Sequence, residues 1–269
     1  MWACHKCRKC DTAPPLFRAR GALAYHAPVP PLPDELLRHR VELLARSSVL
    51  RRASPDTLTQ IAGAATIAQA EGPDPLYSEG SPALHVLLLV RGAVRLDATI
   101  RGRTVPTGWY RGGELIGEET AYEPTYRATA IPLSPTSIVQ LPAGALRAAL
   151  ASDAALAIAW GHLEHERLVE TQLRLGALAA KTHIRLAGFL LDYARRFGSK
   201  ELETNKLLLV DRPTASQIAA YLGVVRQTVQ KDYDKLEELG GILRVSGGLY
   251  IHPAVLERIA DQEGPPSSR

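Results

Sequence analysis

The segment that most constrains the fold runs from Pro213 to Pro253 and reads PTASQIAAYLGVVRQTVQKDYDKLEELGGILRVSGGLYIHP. Thr214 precedes a helical apolar pattern and Gln217 follows three residues later, the spacing of a capping box. Gly223 supplies the backbone freedom that the sharp turn of a helix-turn-helix needs. This stretch therefore predicts two short helices with a tight turn between them.

The second of these helices has one apolar and one polar side. Its predicted buried side consists of Val225, Val229, Leu236 and Leu239. The predicted nucleic-acid interface consists of Thr214, Ser216, Gln217, Arg226, Gln227, Gln230 and Lys231. In a DNA major groove a guanidinium pairs with guanine, a Gln amide with adenine, and Lys with guanine or phosphate. ILRVSGGLYIH then predicts a two-stranded wing. The plainer alternative, a helical hairpin with a solvated polar face, does not explain the cap, the turn glycine and the wing together.

Upstream, the pattern favours short antiparallel strands. The predicted strands are ATIAQA, HVLLLV, AVRLDATI, RATAI and SIVQL, between about residues 65 and 141. Gly- and Pro-bearing turns separate them, which is typical of a sandwich or barrel. Two short helices are predicted before them, from Asp34 onward, and one after them, from Ala143 to Leu150. The predicted fold class is α+β.

A long helix is predicted from Asp153 to about Ala180. Leu168, Thr171, Leu175 and Leu178 alternate three and four residues apart, the a/d spacing of a two-helix seam. This stripe predicts dimerisation, with packing onto the chain's own strands as the alternative. The predicted organisation is an arm over residues 1–33, a domain of antiparallel strands over 34–152, a dimerisation helix over 153–182 and a winged helix over 183–269.

Composition limits the class of protein. With 46% hydrophobic and 22% charged residues, the chain is expected to form a core. Apolar runs such as Ala83 to Val90 are too short to span a bilayer, and the N-terminus is charged where a signal peptide is apolar. We therefore expect a cytoplasmic protein without a membrane partner. The net charge of +4 is by itself weak support for DNA binding.

In its order of parts, the chain resembles the Crp/Fnr family of bacterial transcription regulators from about Leu36 to Ile259. The resemblance is carried by YSEGSPALHVLLLVRGAVRL, GELIGEETAYEPTYRATA and TASQIAAYLGVVRQTVQKDYDKLEELG. It implies that the strands over residues 34–152 form an antiparallel β-roll that acts as a sensor domain. It also implies a homodimer that binds a palindromic site in double-stranded DNA and acts with RNA polymerase. Two departures stand out: Gln227 replaces a frequent Glu, and Val225 replaces a frequent Ser that caps the helix.

The resemblance also implies an effector pocket at Gly117, Glu118, Arg127 and Thr171. Cyclic AMP is disfavoured as its ligand, because Ala128 offers no hydroxyl to the phosphate and Glu170 brings a carboxylate toward an anion. The alternative is that Glu118 and Arg127 form a structural pair in a β-roll without a ligand. A different small effector stays open.

All three cysteines, Cys4, Cys7 and Cys10, lie in CHKCRKCD at the N-terminus. Their spacing matches the start of the bacterial ferredoxin run, and the Fnr branch of the family holds a [4Fe–4S] cluster with an N-terminal cysteine group. The fourth cysteine of the run would fall at Pro14, so a cluster needs another ligand. Two interpretations stay open: an oxygen- or redox-sensing cluster, and a basic tail that binds metal only adventitiously. A zinc site is a weaker third interpretation.

No arrangement of residues predicts catalysis. A thiol redox enzyme built on the CxxC pairs is a remote alternative, because no βαβ pattern surrounds Cys4 and Cys7. A cyclic-nucleotide-responsive or effector-independent regulator is the nearer one. We therefore expect a transcription regulator and not an enzyme.

Overall fold

The computed structural model describes residues 33–72, 74–201 and 205–261. The cysteine arm predicted over residues 1–33 lies outside this range, except for Pro33. The described part of the chain begins with two helices that cover one side of a β-roll. These are α1 (Asp34–Leu44) and α2 (Pro55–Ala64). Ser54 caps α2 by accepting a hydrogen bond from the Thr57 N–H.

Seven strands follow and form two antiparallel sheets. The strands are β1 (Thr66–Ala70), β2 (His85–Arg91), β3 (Ala93–Ile100), β4 (Arg103–Arg111), β5 (Leu115–Ile116), β6 (Thr129–Pro132) and β7 (Thr136–Pro142). Their order is β1-β7-β2-β5 in one sheet and β4-β3-β6 in the other. Strand β2 is buried on both faces: Leu87 and Leu89 contact the core between the sheets, whereas Val86 and Leu88 contact the helices. This arrangement confirms the predicted antiparallel β-roll.

Strand β4 was not predicted, because Pro106 and Gly108 interrupt its β pattern. The pairing of β3 with β4 shifts register at this point, so that Leu96 pairs with Gly108 and Asp97 with Pro106. The shift leaves Thr107 as an extra residue, the geometry of a β-bulge. A bulge accommodates the proline, which cannot donate to the ladder. Pairing with β3 thus stabilises β4 as a strand although its own sequence pattern is broken.

Three helices connect the roll to the C-terminal part of the chain. They are α3 (Ala143–Ser152), α4 (Ala154–Gly176) and α5 (Thr182–Phe197), with a 3₁₀ turn over Ala177–Ala179. Asp153 caps α4 by accepting from the Leu156 N–H at 3.0 Å, and it also accepts from the Ser54 N–H at 2.8 Å. The predicted long helix is confirmed, but it ends in the 3₁₀ turn a few residues before the expected position.

The stripe on α4 is exposed. Leu168, Leu175 and Leu178 each keep more than half of their surface in solvent, at 54%, 60% and 55%. The opposite side of α4 packs Leu156 and Trp160 into the roll, where both are almost fully buried. The three leucines of the stripe therefore do not pack onto the chain's own strands, whereas its fourth member, Thr171, lines a cavity next to the roll.

The C-terminal part is a winged helix. Its elements are β8 (Ser199–Lys200), β9 (Leu207–Leu209), α6 (Ala215–Leu222), α7 (Arg226–Glu238), β10 (Ile242–Val245), β11 (Gly248–Ile251) and α8 (Pro253–Ala260). The wing hairpin β10–β11 extends a sheet of order β10-β11-β9-β8. The predicted wing is thus present. Its core includes Leu186 and Leu190 of α5.

No single helix among the described residues has the length and hydropathy to cross a membrane. Helix α3 reaches the length and hydropathy of a membrane span only when it is counted together with α4 and the 3₁₀ turn that follows α4. These two segments are bent by 114° from one another.

Replacing Gly223 by Ala tests the turn. Gly223 has a φ of 68°, and no atom lies within 4 Å of the position that a Cβ would take, so the cost is conformational. We expect Gly223→Ala to lower the free energy of unfolding by about 1 kcal/mol, measured by urea denaturation. Gly247→Ala is the matched control, because its surroundings are equally open and its φ lies outside the left-handed region. Equal effects of the two variants would contradict this explanation.

Candidate DNA interface and sensor cavity

The N-terminal end of α7 is positioned by the chain that precedes it. Thr214 Oγ1 accepts from the Gln217 N–H at 3.3 Å, and Gln217 Oε1 accepts from the Thr214 N–H at 2.8 Å. The predicted capping box is therefore present, and α6 ends at Gly223 in the left-handed conformation. These features give α7 a defined direction relative to α6.

Four polar side chains on the N-terminal half of α7 are exposed and lie at neighbouring positions: Arg226, Gln227, Gln230 and Lys231. Val229, Tyr233 and Leu236 form the buried side of the same helix. Val225 and Leu239 were predicted to be buried, but they are 63% and 49% exposed. Both lie at the ends of α7, beyond the side that α5 and α6 cover. Among the predicted residues that precede α7, Thr214 and Ser216 are exposed and Gln217 is half-buried.

Val225 is the N-cap residue of α7 and makes no side-chain hydrogen bond to the helix. Helix α7 therefore lacks a side-chain N-cap, as the sequence predicted. On the wing, Arg244 is paired with two carboxylates of α7: its Nη2 lies 2.8 Å from Asp234 Oδ1, and its Nε donates to Glu237 Oε2 at 2.8 Å. The charge of this wing residue is thus balanced within the domain.

A polar cavity of about 230 Å³ lies between the roll, α4 and α6. It is lined by Thr107, Tyr110, Glu118, Glu164, Arg167, Glu170, Thr171, Arg174 and Tyr221. Glu118 opens a 3₁₀ turn directly after Gly117, whose φ is 75°. Of the predicted effector residues, Glu118 and Thr171 thus line the cavity, and Gly117 shapes the turn that places Glu118.

Arg127 is not in the cavity. Its side chain is 71% exposed, and its guanidinium lies 2.5 Å from the carboxylate of Glu123. The guanidinium that pairs with Glu118 in the cavity belongs to Arg167 of α4, whose Nε donates to Glu118 Oε1 at 3.2 Å. The structural pair suggested by the sequence, Glu118 with Arg127, is therefore replaced by Glu118 with Arg167.

Burial sets the electrostatics of this ion pair. Desolvation raises the pKa of Glu118, and the charge of Arg167 opposes that rise. Glu118 Oε2 is buried and has no hydrogen-bond partner among the described residues. The Arg167 guanidinium also lies over the Tyr110 ring, 4.6 Å from its centre, and Glu170 stands 3.9 Å from it. The cavity thus contains its own cation opposite Glu118.

Arg174 links the cavity to the winged helix. Its guanidinium lies 4.6 Å from the centre of the Tyr221 ring on α6, and its Nη1 donates to the Thr107 carbonyl at 3.4 Å. Sequence reasoning missed Arg167 and Arg174. Arg167 lies four residues before Thr171 on α4 and Arg174 lies three residues after it. This spacing puts all three residues on one face of a helix and could have indicated both arginines.

Comparison with known proteins agrees with this geometry. Residues 70–153 match the model of the cyclic nucleotide-binding domain family. FixK2 from Bradyrhizobium japonicum has a similar structure, with 22% identity, a TM-score of 0.63, and coverage of 74% of this chain and 99% of that one. The fold is that of a Crp/Fnr regulator.

Two further structures have this Crp/Fnr fold. TTHA1359, a Crp/Fnr-family transcriptional regulator from Thermus thermophilus, is 23% identical with a TM-score of 0.61, covering 74% of this chain and 100% of that one. The c-di-GMP-responsive regulator CLP of Xanthomonas campestris is 15% identical with a TM-score of 0.59, covering 74% and 99%. No curated protein sequence gave a significant match.

Proposed function

We propose that this protein is a DNA-binding transcription regulator that reads its operator with the N-terminal half of α7. The observation that carries this proposal is the exposed group of Arg226, Gln227, Gln230 and Lys231, which a capping box and a left-handed glycine position on a winged helix. These side chains have the donors and acceptors that pair with base edges in a major groove. Neighbours of the same fold that are transcription regulators support the proposal.

We propose further that the protein acts as a homodimer joined along α4. The stripe of Leu168, Leu175 and Leu178 is exposed, and Leu173 beside it is 70% exposed. The stripe continues into an open apolar cleft of about 1110 Å³ bounded by α4, α5 and α6. Covering such a surface with a second copy removes apolar area from water. A twofold dimer would then place two copies of α7 against a palindromic site.

Replacing Arg226 by Ala tests the recognition surface. We expect weaker operator binding by about 1–3 kcal/mol and relaxed selectivity at one base position, because a bidentate contact to guanine is lost. The operator is first selected from random duplexes with the wild type, and affinities are measured at fixed salt. Arg258→Ala, at an exposed position of α8, is the control for loss of a positive charge. Unchanged affinity and selectivity of Arg226→Ala would refute the assignment.

Replacing Leu175 by Glu tests the dimer. A carboxylate in the centre of a closed apolar seam is costly, so we expect the dimer dissociation constant to rise at least about tenfold. Sedimentation equilibrium gives the measurement. Leu84→Glu is the matched control, because Leu84 is 62% exposed on the roll. A wild-type monomer, or dimers of equal stability in both variants, would rule out the α4 seam.

We propose that the effector is not cyclic AMP. Arg127 is exposed and paired with Glu123, so the donor expected for the phosphate is missing from the cavity. The cavity's three carboxylates, Glu118, Glu164 and Glu170, outnumber its two guanidinium groups and would repel an anionic phosphate. The cyclic nucleotide-binding domain match makes the test direct. We expect no heat of binding on calorimetric titration with millimolar cyclic AMP. Binding at micromolar concentration would overturn this proposal and leave the DNA-binding one intact.

A second candidate function, redox sensing, rests on the even spacing of Cys4, Cys7 and Cys10. These residues lie outside the described range, and no group of three or more metal-ligating side chains occurs within residues 33–72, 74–201 and 205–261. We propose that the thiols bind a [4Fe–4S] cluster with a fourth ligand that is not a cysteine.

The absorption spectrum and iron content of protein purified without oxygen test the cluster. We expect a brown protein whose visible band bleaches in air, and a colourless Cys7→Ser variant. Iron-free, colourless wild type would leave the cysteines as an adventitious metal-binding tail, and a stoichiometric zinc content would favour a zinc site.

A further inference from the structure

Trp109 of strand β4 belongs to the core of the winged helix. It is 4% exposed and packs among aromatic rings of α5 and α6: its ring centre lies 5.4 Å from Phe189, 5.9 Å from Tyr193 and 5.1 Å from Tyr221. Edge contacts of this kind add to the gain from burial. A side chain of the roll thus fills a position in the hydrophobic core of the other domain.

Polar contacts reinforce this junction around Arg196 at the end of α5. Its Nη2 donates to the Trp109 carbonyl at 2.8 Å and to Glu114 Oε1 at 2.7 Å. Arg111 Nη1 donates in return to the Arg196 carbonyl at 2.6 Å. Strand β4 and the residues just after it therefore contact the end of α5 through hydrogen bonds that involve both side chains and backbone carbonyls.

The next residue on β4, Tyr110, lines the polar cavity that contains Glu118. Side chains alternate along a strand, so Tyr110 points away from Trp109 and into the core of the roll. Tyr110 lines the polar cavity, where the Arg167 guanidinium lies over its ring. A rearrangement that moves the backbone of Tyr110 must also move the adjacent backbone of Trp109, because the two residues share a peptide bond.

This junction leaves the recognition surface free. Arg226, Gln227, Gln230 and Lys231 are exposed while Trp109 is docked, so the contact fixes the direction of α7 without covering it. A twofold regulator needs its two recognition helices at one separation and one tilt. Holding a binding surface in its bound orientation reduces the entropy lost on binding.

We propose that Trp109 and the Glu114–Arg196 ion pair form an orientation anchor through which the roll controls DNA affinity. The anchor holds the winged helix in the position that binds DNA, and strand β4 connects it to the cavity through Tyr110. The part of this proposal that concerns DNA rests on the proposed function, whereas docking of the two domains does not.

Charge reversal at the ion pair tests the anchor without a core truncation. Glu114 and Arg196 keep 29% and 22% of their side chains in solvent, so the chain tolerates a change there. In the full-length protein, we expect Glu114→Arg to weaken operator binding about tenfold and to speed hydrogen exchange in α6. The swap Glu114→Arg with Arg196→Glu re-forms the ion pair but loses the Arg196 hydrogen bond to the Trp109 carbonyl, so it should restore part of both properties. Glu71→Arg makes the same charge change at another exposed position of the roll as a control.

Trp109→Ala and Trp109→Phe supply the second arm. We expect Trp109→Ala to reproduce the loss seen with Glu114→Arg, and Trp109→Phe to retain more affinity because it keeps a ring in the core. If Trp109→Ala fails to fold, the charge swap decides the question. Wild-type affinity and wild-type exchange in Glu114→Arg, or a swap that rescues neither, would overturn the anchor. A wild type that binds no selected duplex would refute the proposed function, while exchange in α6 would still test docking.

Discussion

The two-sided character of α4 is the constraint on which the rest of the structure depends. One side packs Leu156 and Trp160 into the roll, and the Asp153 carboxylate fixes the start of the helix by accepting from the backbone of α4 and from Ser54 next to α2. Because this side is committed to the chain's own core, the leucines on the other side stay in solvent. The same helix carries Arg167 and Arg174, so its placement also determines what faces the cavity.

The cavity shows how a fold can be kept while its chemistry changes. In this chain the cation opposite Glu118 comes from α4 and not from the loop that bears Arg127. An internal guanidinium at this place balances the buried carboxylate whose pKa burial raises. Because Arg167 is already paired with Glu118, its charge is partly balanced before any anionic ligand enters. The match to a cyclic nucleotide-binding domain therefore describes the architecture of the roll, and the side chains in the cavity decide the ligand.

Much of the fold could be predicted from local patterns. The capping box at Thr214 and Gln217, the turn at Gly223 and the wing are short-range features whose residues determine their own geometry. The strands with clean β patterns were predicted too. Strand β4 was missed because Pro106 and Gly108 break its pattern, and only pairing with β3 through a bulge at Thr107 makes it a strand. Val225 and Leu239 fit the helical period of α7, yet they lie past the side that its neighbours cover.

The sequence by itself determined the class of most segments and the exposed polar residues at the start of α7, because helix caps, turn glycines and hydrophobic periods act over a few residues. It also showed three evenly spaced thiols, whose role spacing alone leaves open. Only the tertiary structure decided that Arg167 and not Arg127 meets Glu118, that the leucine stripe of α4 is uncovered, and that Trp109 belongs to the core of the winged helix. Each of these depends on which elements pack together, and the residues concerned are tens of positions apart in the chain.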